Sequence, residues 1–171
     1  MAEAVKGINR IILMRPYSLR NTEAAGRMAF QTEHEKSSSR DSSSTVTKDG
    51  NIQSLSEEVV EYSLTTLMAR EDAVREKLEE AYHSGELIEF WDIDKTAAET
   101  ADGDDKGKFP ARYYQGYLTE WSESAAAEDN VEISLSAAMN GAGVKGYATL
   151  TEDQATVVQY AFADTTQGTG A

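Results

Sequence analysis

Residues 112–150 form the stretch that most constrains how this chain can fold. From Val131 onward its side chains alternate strictly between apolar and mostly polar, which is the period of a half-buried strand. The apolar positions of this alternation are Val131, Ile133, Leu135 and Ala137. Aromatic residues fill the part before it, and a glycine-rich run at residues 140–146 leads into another short apolar segment, as at a turn between strands. The stretch therefore predicts three consecutive strands of an antiparallel sheet.

Large aromatic side chains mark where this sheet is buried. Tyr113, Tyr117 and Trp121 are spaced to share one side of the first strand, while other apolar residues occupy the opposite side. Trp91 lies in the nearly continuous apolar run LIEFWDI at residues 87–93, which predicts a central strand buried on both faces. We predict that these aromatics lie in the core or at a contact between subunits, because large aromatics carry most of the area of such contacts.

The rest of the chain predicts more strands and one helix. The further strand segments are residues 8–15, ended by Pro16, and residues 27–35, 57–68 and 158–162. Apolar residues recur at helical spacing over residues 72–83, and Gly85 follows where a helix would end. Residues 151–154 have the spacing of a capping box. About eight strands, one helix and no regular strand–helix alternation predict a mainly β fold, an antiparallel β-sandwich with one flanking α-helix.

Residues 36–51 predict a protruding arm. The run KSSSRDSSS at residues 36–44 has nothing apolar to bury and predicts a mobile loop, and Asp49, Gly50 and Asn51 then form a strong turn signal within a hairpin. The segment is either a floppy surface loop or an arm that becomes ordered against a neighbour. The candidate contact residues of the arm are Lys36, Ser39, Arg40, Asp41, Ser44, Val46, Lys48, Asp49 and Gly50.

Charge and composition exclude several classes of function. The chain has 171 residues, which suits one domain over residues 1–171, with residues 164–171 as a flexible tail. Its net charge of −14 disfavours DNA binding by charge neutralisation. Without cysteine it has no disulfides, thiolate metal sites or cysteine nucleophile. No early apolar run approaches the roughly 20 residues that span a bilayer, so we expect a soluble chain made in the cytoplasm.

Two short motifs resemble ligand sites but favour plainer interpretations. Gly141, Gly143 and Gly146 spell G-x-G-x-x-G, yet a nucleotide fingerprint needs a helix after the glycines, and here the strand-like YATLT follows. A hairpin turn is favoured. The acidic loop at residues 96–108 matches three positions of a calcium loop, but Lys106 occupies a ligand position and would oppose a cation. A solvated acidic loop is favoured there.

The titratable residues predict no active site. His34 and His83 are the only histidines and lie far apart in sequence, so neither a catalytic pair nor a two-histidine metal site is indicated. With 30 acidic residues, some pair of carboxylates always looks suggestive of a glycosidase. We predict a protein that is not an enzyme and needs no metal or cofactor.

The order of these features is more specific than any one of them: an apolar first strand, a serine-rich segment, TKDG at residues 47–50, the strand SEEVVEYSLTTLMA, one helix, LIEFWDI, and an aromatic strand, acidic linker and glycine run at residues 117–146. This order resembles the major tail proteins, or tail tube proteins, of siphophages that infect Gram-positive bacteria, over nearly the whole chain. The resemblance implies a β-sandwich subunit, hexameric rings that stack into a tube, and DNA passing through that tube at ejection.

The resemblance also implies partners and roles for particular residues. The arm at residues 36–51 would reach the adjacent ring, and the chain would meet tape measure, distal tail and tail terminator proteins in the virion tail, without a cofactor or a membrane. Carboxylates facing the lumen would keep DNA in solvent without specific binding. The candidate lumen acids are Glu57, Glu61, Glu120 and Glu132. Two alternatives remain open: a carbohydrate-binding β-sandwich module of a virion or cell surface, and an acidic DNA mimic.

Overall fold

The computed structural model describes residues 2–96, 98–151 and 154, and within them the chain is mainly β. The strands are β1 (Arg10–Pro16), β2 (Gln31–Ser39), β3 (Ser42–Thr47), β4 (Gly50–Leu55), β5 (Val59–Leu67), β6 (Ile88–Asp94), β7 (Phe109–Ser124), β8 (Glu132–Met139) and β9 (Val144–Ala148). Helix α1 (Ala73–Ser84) lies between β5 and β6, and short 3₁₀ helices form at Gly7–Asn9 and Tyr17–Leu19. The predicted fold class, antiparallel β with one flanking helix, is confirmed. The predicted strand at residues 158–162 and the tail at residues 164–171 lie outside the described residues.

One curled sheet supplies both layers of the predicted sandwich. Seven strands pair in the order β1-β6-β7-β8-β5-β2, with β9 also beside β7, while β3 and β4 form a separate hairpin. The sheet curls until its edges meet, where the Gln31 amide of β2 bonds both the carbonyl of Ile12 (2.8 Å) and its N–H (3.3 Å) in β1. Side chains from both halves of the sheet, including Ile12, Leu64 and Leu135, share the core on the concave side.

The alternation predicted from the sequence is confirmed in the two central strands β5 and β8. Val60, Tyr62 and Leu64 of β5 are buried, and so are Ile133 and Leu135 of β8, while the residues between them face outward and are exposed or half-buried. Strands β5 and β8 pair directly with each other over eight positions. Because the side-chain period of a strand is two, this register places these five buried apolar residues together on the concave side.

Helix α1 begins and ends as its sequence predicts. Asp72 caps its N-terminus, where Oδ1 accepts hydrogen bonds from the backbone N–H of Val74 (3.1 Å) and Arg75 (3.2 Å). Gly85 ends it in the left-handed conformation (φ 71°). Leu78 is fully buried and anchors the helix to the core. Within the described residues, no helix is both long and apolar enough to span a membrane.

The Asp72 cap gives a first prediction. Replacing Asp72 by Ala should lower the free energy of unfolding by about 1–2 kcal/mol, because the helix loses its cap and the N–H of Ala29, which donates to Oδ2 at 2.9 Å, loses its acceptor. Asp72→Asn keeps an oxygen that can accept from the N–H groups of Val74 and Arg75 but loses the acceptor for the Ala29 N–H, so it should lose about half of that. Urea unfolding followed by circular dichroism measures both variants, and equal losses would show that the cap hydrogen bonds are not the cause.

The serine-rich segment is ordered strand, so the predicted mobile loop at residues 36–44 is wrong. Strand β2 continues through Ser39, where Lys36 pairs with Tyr62 and Ser39 with Val59, and β3 begins at Ser42. Strand pairing uses backbone groups, and an exposed strand face needs no apolar side chains. Two boundaries also shift: β1 begins at Arg10 after a 3₁₀ turn, and β2 begins at Gln31 rather than at residue 27.

The glycine run does not form the predicted hairpin turn. Strand β8 pairs with the second part of β7 from Gly116 onward, and β9 pairs with the first part up to Tyr113, both antiparallel and both on the edge opposite β6. The chain therefore bends between β8 and β9 and continues along β7. Gly143 has φ 78°, and a Cβ there would lie 2.5 Å from the Tyr114 ring, so this position needs a glycine on both counts.

Candidate assembly surfaces

Four neighbouring strand segments present one continuous outer surface, which we call the acidic face. It is formed by β2, β5, β8 and the second part of β7. Its outward residues are Glu33, Glu35, Ser37, Ser39, Val59, Glu61, Ser63, Thr65, Tyr117, Glu120, Ser122, Ser124, Glu132, Ser134, Ser136 and Ala138. This set contains five glutamates and many hydroxyl groups, and no lysine or arginine.

Register sets the glutamates of the acidic face close to one another. One cross-strand row runs Glu35, Ser63, Ser136 and Glu120, and the next row contains Glu61. Glu35, Glu61 and Glu120 all line one shallow depression of about 330 Å³. Because the other lining residues are small, hydroxyl-bearing or aromatic, the carboxylates meet no cation there, and the surface carries a negative potential that repels phosphate.

The predicted lumen acids divide between this face and its margin. Glu61, Glu120 and Glu132 are outward residues of the acidic face. Glu57 is exposed in the link between β4 and β5, outside any strand. Glu33 and Glu35 belong to the face although sequence reasoning did not select them. Their alternation in the sequence was visible, but only the pairing of β2 with β5 shows that they share a surface with Glu61.

The aromatics of β7 do not share one side as predicted. A register shift between Leu118 and Glu120 inserts an extra residue and returns Trp121 to the concave side. Trp121 packs against the core there and stacks on Tyr82 of α1, with ring centroids 6.3 Å apart. Tyr117 stays on the outer surface and is 44% exposed.

Trp91 and Tyr113 lie together on the outer side of β6 and β7 and are half-buried. Their ring centroids are 5.2 Å apart, and the Arg15 guanidinium lies 5.1 Å from the Trp91 ring. The Tyr113 hydroxyl donates to buried Glu89 (2.7 Å), which also accepts from Arg15 Nε (2.8 Å). Burial raises the pKa of Tyr113. These two aromatics are therefore packed into a local network and do not form an open platform.

A second buried carboxylate sits where the sheet edges meet. Asp92 of β6 pairs with Arg10 and accepts a hydrogen bond from the Tyr62 hydroxyl at 2.8 Å. His34 Nε2 lies 3.9 Å from the same carboxylate, but burial outweighs this attraction and lowers the His34 pKa. Burial raises the pKa of Tyr62, and the Asp92 charge adds to that effect. Asp92 is thus satisfied by an arginine and a tyrosine, which is typical of a structural ion pair.

The two motifs that resembled ligand sites are accounted for by the fold. Strand β9 follows the glycine run, so no helix N-terminus is present there to hold a pyrophosphate. In the acidic loop, Lys106 bonds Asp102 at 2.7 Å and Lys108 bonds Asp105 at 3.1 Å. Both pairs are surface ion pairs within one loop.

The hairpin of β3 and β4 projects from the body, and we call residues Ser42–Leu55 the hairpin arm. Of the predicted arm residues, Lys36 and Ser39 belong to β2, Arg40 and Asp41 lie at the base, and Ser44, Val46, Lys48, Asp49 and Gly50 belong to the arm. All its side chains are exposed except that of half-buried Thr47. The apolar ones are among the most exposed large apolar side chains of the described residues: Val46 81%, Leu55 66% and Ile52 60%.

The hairpin arm has little to stabilise it within its own subunit. At its base, the Ser56 N–H donates to the Asp41 carbonyl (2.8 Å), and the Asp41 N–H donates to Ser56 Oγ (2.8 Å). An isolated two-stranded hairpin is marginally stable in water. Three exposed apolar side chains on such a hairpin indicate a surface that is covered by a partner.

Two strand edges that border the acidic face are left open in the described part of the chain. Strand β2 pairs with β5 on one edge, and its other edge meets β1 only through the Gln31 side chain. Strand β7 pairs with β6 only up to Gly116, so residues 117–124 are paired only on the β8 side. These open edges flank the acidic face on its two sides, and exposed edges are sites where another chain can pair.

Comparisons with known proteins agree on one kind of relative. A family model described as phage tail tube protein matches residues 4–145. A protein of Staphylococcus phage phiMR25 described as "Putative tail protein" is 28% identical over 170 residues, which cover 98% of this chain and 86% of that protein.

Solved structures show the same fold. The SPP1 tail tube protein matches with a TM-score of 0.78 at 24% identity, covering 98% of this chain and 95% of the other. A tail chain of a gene transfer agent particle, refined with C6 symmetry, matches with a TM-score of 0.60 at 14% identity, covering 85% of this chain and 100% of the other. A chain of the sheath–tube complex of an extracellular contractile injection system matches with a TM-score of 0.55 at 8% identity, covering 86% of this chain and 95% of the other.

Proposed function

This chain belongs to the phage tail tube protein family, and from that premise we propose that six copies close into a ring and that stacked rings form the tail tube of a siphophage of Gram-positive bacteria. The chain is a structural component of the virion tail. The observation that carries the ring proposal is the acidic face, a cation-free surface four strands wide with an open strand edge on each side.

Pairing the two open edges would close the ring. Within one copy β2 and β7 run antiparallel, because each of the three steps from β2 through β5 and β8 to β7 reverses direction. A rotation about a six-fold axis preserves strand direction, so β7 of one copy can pair antiparallel with β2 of the next. Ring closure would cover both edges and so prevent random pairing with other chains.

The same arrangement would turn the acidic face toward the channel. Its glutamates and hydroxyl groups would form a wall that repels phosphate, so DNA would pass during ejection without specific binding. The hairpin arm would then project toward the adjacent ring, where its apolar side chains would be covered. We propose that tape measure, distal tail and tail terminator proteins meet the assembled tube, and the role requires no catalysis and no cofactor.

The carbohydrate-binding alternative receives no support from the aromatics predicted to form contacts. A sugar platform requires coplanar exposed rings, whereas Trp121 packs against the core and Trp91 and Tyr113 are half-buried. Only Tyr117 among the four is exposed. The acidic DNA mimic remains a poorer interpretation, because it does not explain the hairpin arm or the open edges.

Electron microscopy tests the proposed function directly. Negatively stained protein at increasing concentration should show hollow rings and tubes whose end views have six-fold symmetry. Dilution below the assembly threshold provides the matched control and should leave monomers of the size of one chain. If the chain stayed as solitary particles even when seeded with a tail-initiation complex, the ring and tube proposal would be wrong.

A further inference from the structure

A cationic cavity opens where the two edges of the sheet meet, and we call it the seam pocket. It has a volume of about 980 Å³ and lies between the start of β1 and the start of β2. Its charged lining includes Lys6, Arg10, Arg27 and Lys95, with Glu33 as the acid. Four cations around one cavity are unexpected in a chain whose net charge is −14.

Three of these cations lack a counter-charge in the described part of the chain. Arg10 pairs with Asp92, but Lys6, Arg27 and Lys95 make no ion pair with any described residue. Burial lowers the pKa of Lys95, and the positive charge of Arg27 lowers it further. Lys95 and Arg27 therefore repel one another in this pocket, and a bound anion would relieve that repulsion.

The rim of the seam pocket is apolar, and one of its residues is strained. Val5, Ile8 and Phe30 are 57%, 63% and 64% exposed. Phe30 has φ 53°, a left-handed conformation that is unusual for a bulky residue. Strain of this kind persists where the surrounding structure maintains it, and it clusters at binding sites. Cations within an apolar rim suit a ligand that carries both carboxylates and small apolar side chains.

One segment of the chain itself has that chemistry. The end of β7 and the turn that follows it read ESAAAEDN at residues 123–130, and all of these residues are exposed. It carries Glu123, Glu128 and Asp129, and residues 113–144 include no lysine or arginine. Three consecutive alanines supply small apolar side chains beside the acids. We call this segment the acidic turn.

The proposed ring brings the acidic turn to the pocket. When β7 pairs antiparallel with β2 of the next copy, the end of β7 at Ser124 comes beside the start of β2 at Gln31. The chain beyond Ser124 then passes the neighbour's Phe30 and reaches its seam pocket. We propose that the acidic turn of each copy docks in the seam pocket of the next copy around the ring, an inference that rests on the proposed ring.

Engineered disulfides test the contact, because the chain has no cysteine of its own. The double variant Lys95→Cys/Asp129→Cys should, in oxidised tubes, give covalent ladders that stop at six chains, since each copy is linked to the next within a closed ring. The matched control Lys95→Cys/Glu80→Cys places its second thiol on the exposed side of α1 and should give no ladder.

Charge exchange provides an independent measurement. Arg27→Glu/Lys95→Glu and Glu128→Lys/Asp129→Lys should each raise the protein concentration needed for assembly by about tenfold or more, because like charges meet at the contact. Combining the four changes should restore assembly. Glu76→Lys/Glu80→Lys on α1, which alters the net charge as much as the second pair, should leave it unchanged.

The outcomes separate this proposal from the ring itself. Wild-type rings without a disulfide ladder, together with no recovery in the four-fold variant, would overturn the docking and leave the ring standing. Ladders that run past six chains would place the acidic turn between rings, and a linkage within single monomers would make the occupant of the pocket intramolecular. Either result would also overturn the proposed docking between neighbouring copies. Absence of any wild-type ring would instead refute the proposed function.

Discussion

Deleting the hairpin arm is expected to leave a folded subunit that forms rings but no longer grows tubes. The deletion removes Ser42–Leu55 and joins Asp41 to Ser56 through Asn-Gly, a sequence that favours a tight hairpin turn. Asp41 and Ser56 are already hydrogen-bonded at 2.8 Å, so the join extends the β2–β5 hairpin without distortion. Residues 36–39 must remain, because they are paired with β5.

The fold should survive because the hairpin arm contributes nothing to the core. No residue of Ser42–Leu55 is buried, so the free energy of unfolding should change by less than about 1 kcal/mol, which urea unfolding can establish. Tube growth should fail because the adjacent ring would lose the apolar contacts that the arm residues supply. Electron microscopy should then show isolated rings where the wild type gives long tubes.

Point variants distinguish the effect of losing the arm's apolar side chains from the effect of losing the whole arm. Val46→Ser/Ile52→Ser/Leu55→Ser keeps the hairpin but removes its exposed apolar side chains, and it should shorten tubes strongly. Ser43→Ala/Ser54→Ala alters an exposed cross-strand pair of the same hairpin and provides the matched control, which should grow tubes normally. Tubes of wild-type length from the deletion variant would remove the arm from the stacking contact.

Local periodicity was sufficient to predict the parts of the fold that depend on one segment at a time. The alternation in β5 and β8 reflects burial on one face, and the spacing of Val74, Leu78 and Ala81 reflects the buried side of α1. Asp72 and Gly85 then mark the two ends of that helix. In each case the pattern that determines the structure lies within about twelve residues.

Features that depend on pairing between distant segments could not be predicted. A single extra residue near Thr119 reverses the side on which Trp121 lies, and nothing in the sequence marks it. The glycine run is equally compatible with a hairpin and with a bend, and only its pairing with β7 decides between them. Gln31 bridges to β1 through one amide, a contact that joins residues nineteen apart in the chain.

The residues of the candidate surfaces also divide into those that one segment identifies and those that only pairing between distant segments identifies. Glu61 and Glu132 could be chosen because each lies on the polar side of an alternating strand, whereas Glu120 faces outward only because of the register shift that also reverses Trp121. Glu33 and Glu35 could not be chosen with them, because the serine-rich continuation of β2 carries no apolar alternation to identify its partner. The seam pocket could not be predicted for the same reason, since its four cations come from three separate parts of the sequence.

Reversing charge on the acidic face should raise the affinity of assembled tubes for duplex DNA by orders of magnitude. Glu61→Lys/Glu120→Lys places two cations per copy beside the depression that Glu35 also lines. If this face lines the channel, a hexameric ring then presents twelve cations to the lumen. Because each phosphate neutralised adds steeply to affinity, duplex DNA should be retained at least about 1000-fold more tightly at low salt than by wild-type tubes.

Nuclease protection identifies where that DNA is held. Tubes of Glu61→Lys/Glu120→Lys incubated with short duplexes should sediment with DNA that resists nuclease, and the retained amount should fall steeply as salt rises. Glu76→Lys/Glu80→Lys makes the same charge change on α1 and should hold DNA, if at all, only in a nuclease-sensitive form. Protection that is absent from the first variant, or equal in the two, would place the acidic face outside the channel. If that face lines the tube, replacing its carboxylates by cations must convert a wall that repels phosphate into one that binds it.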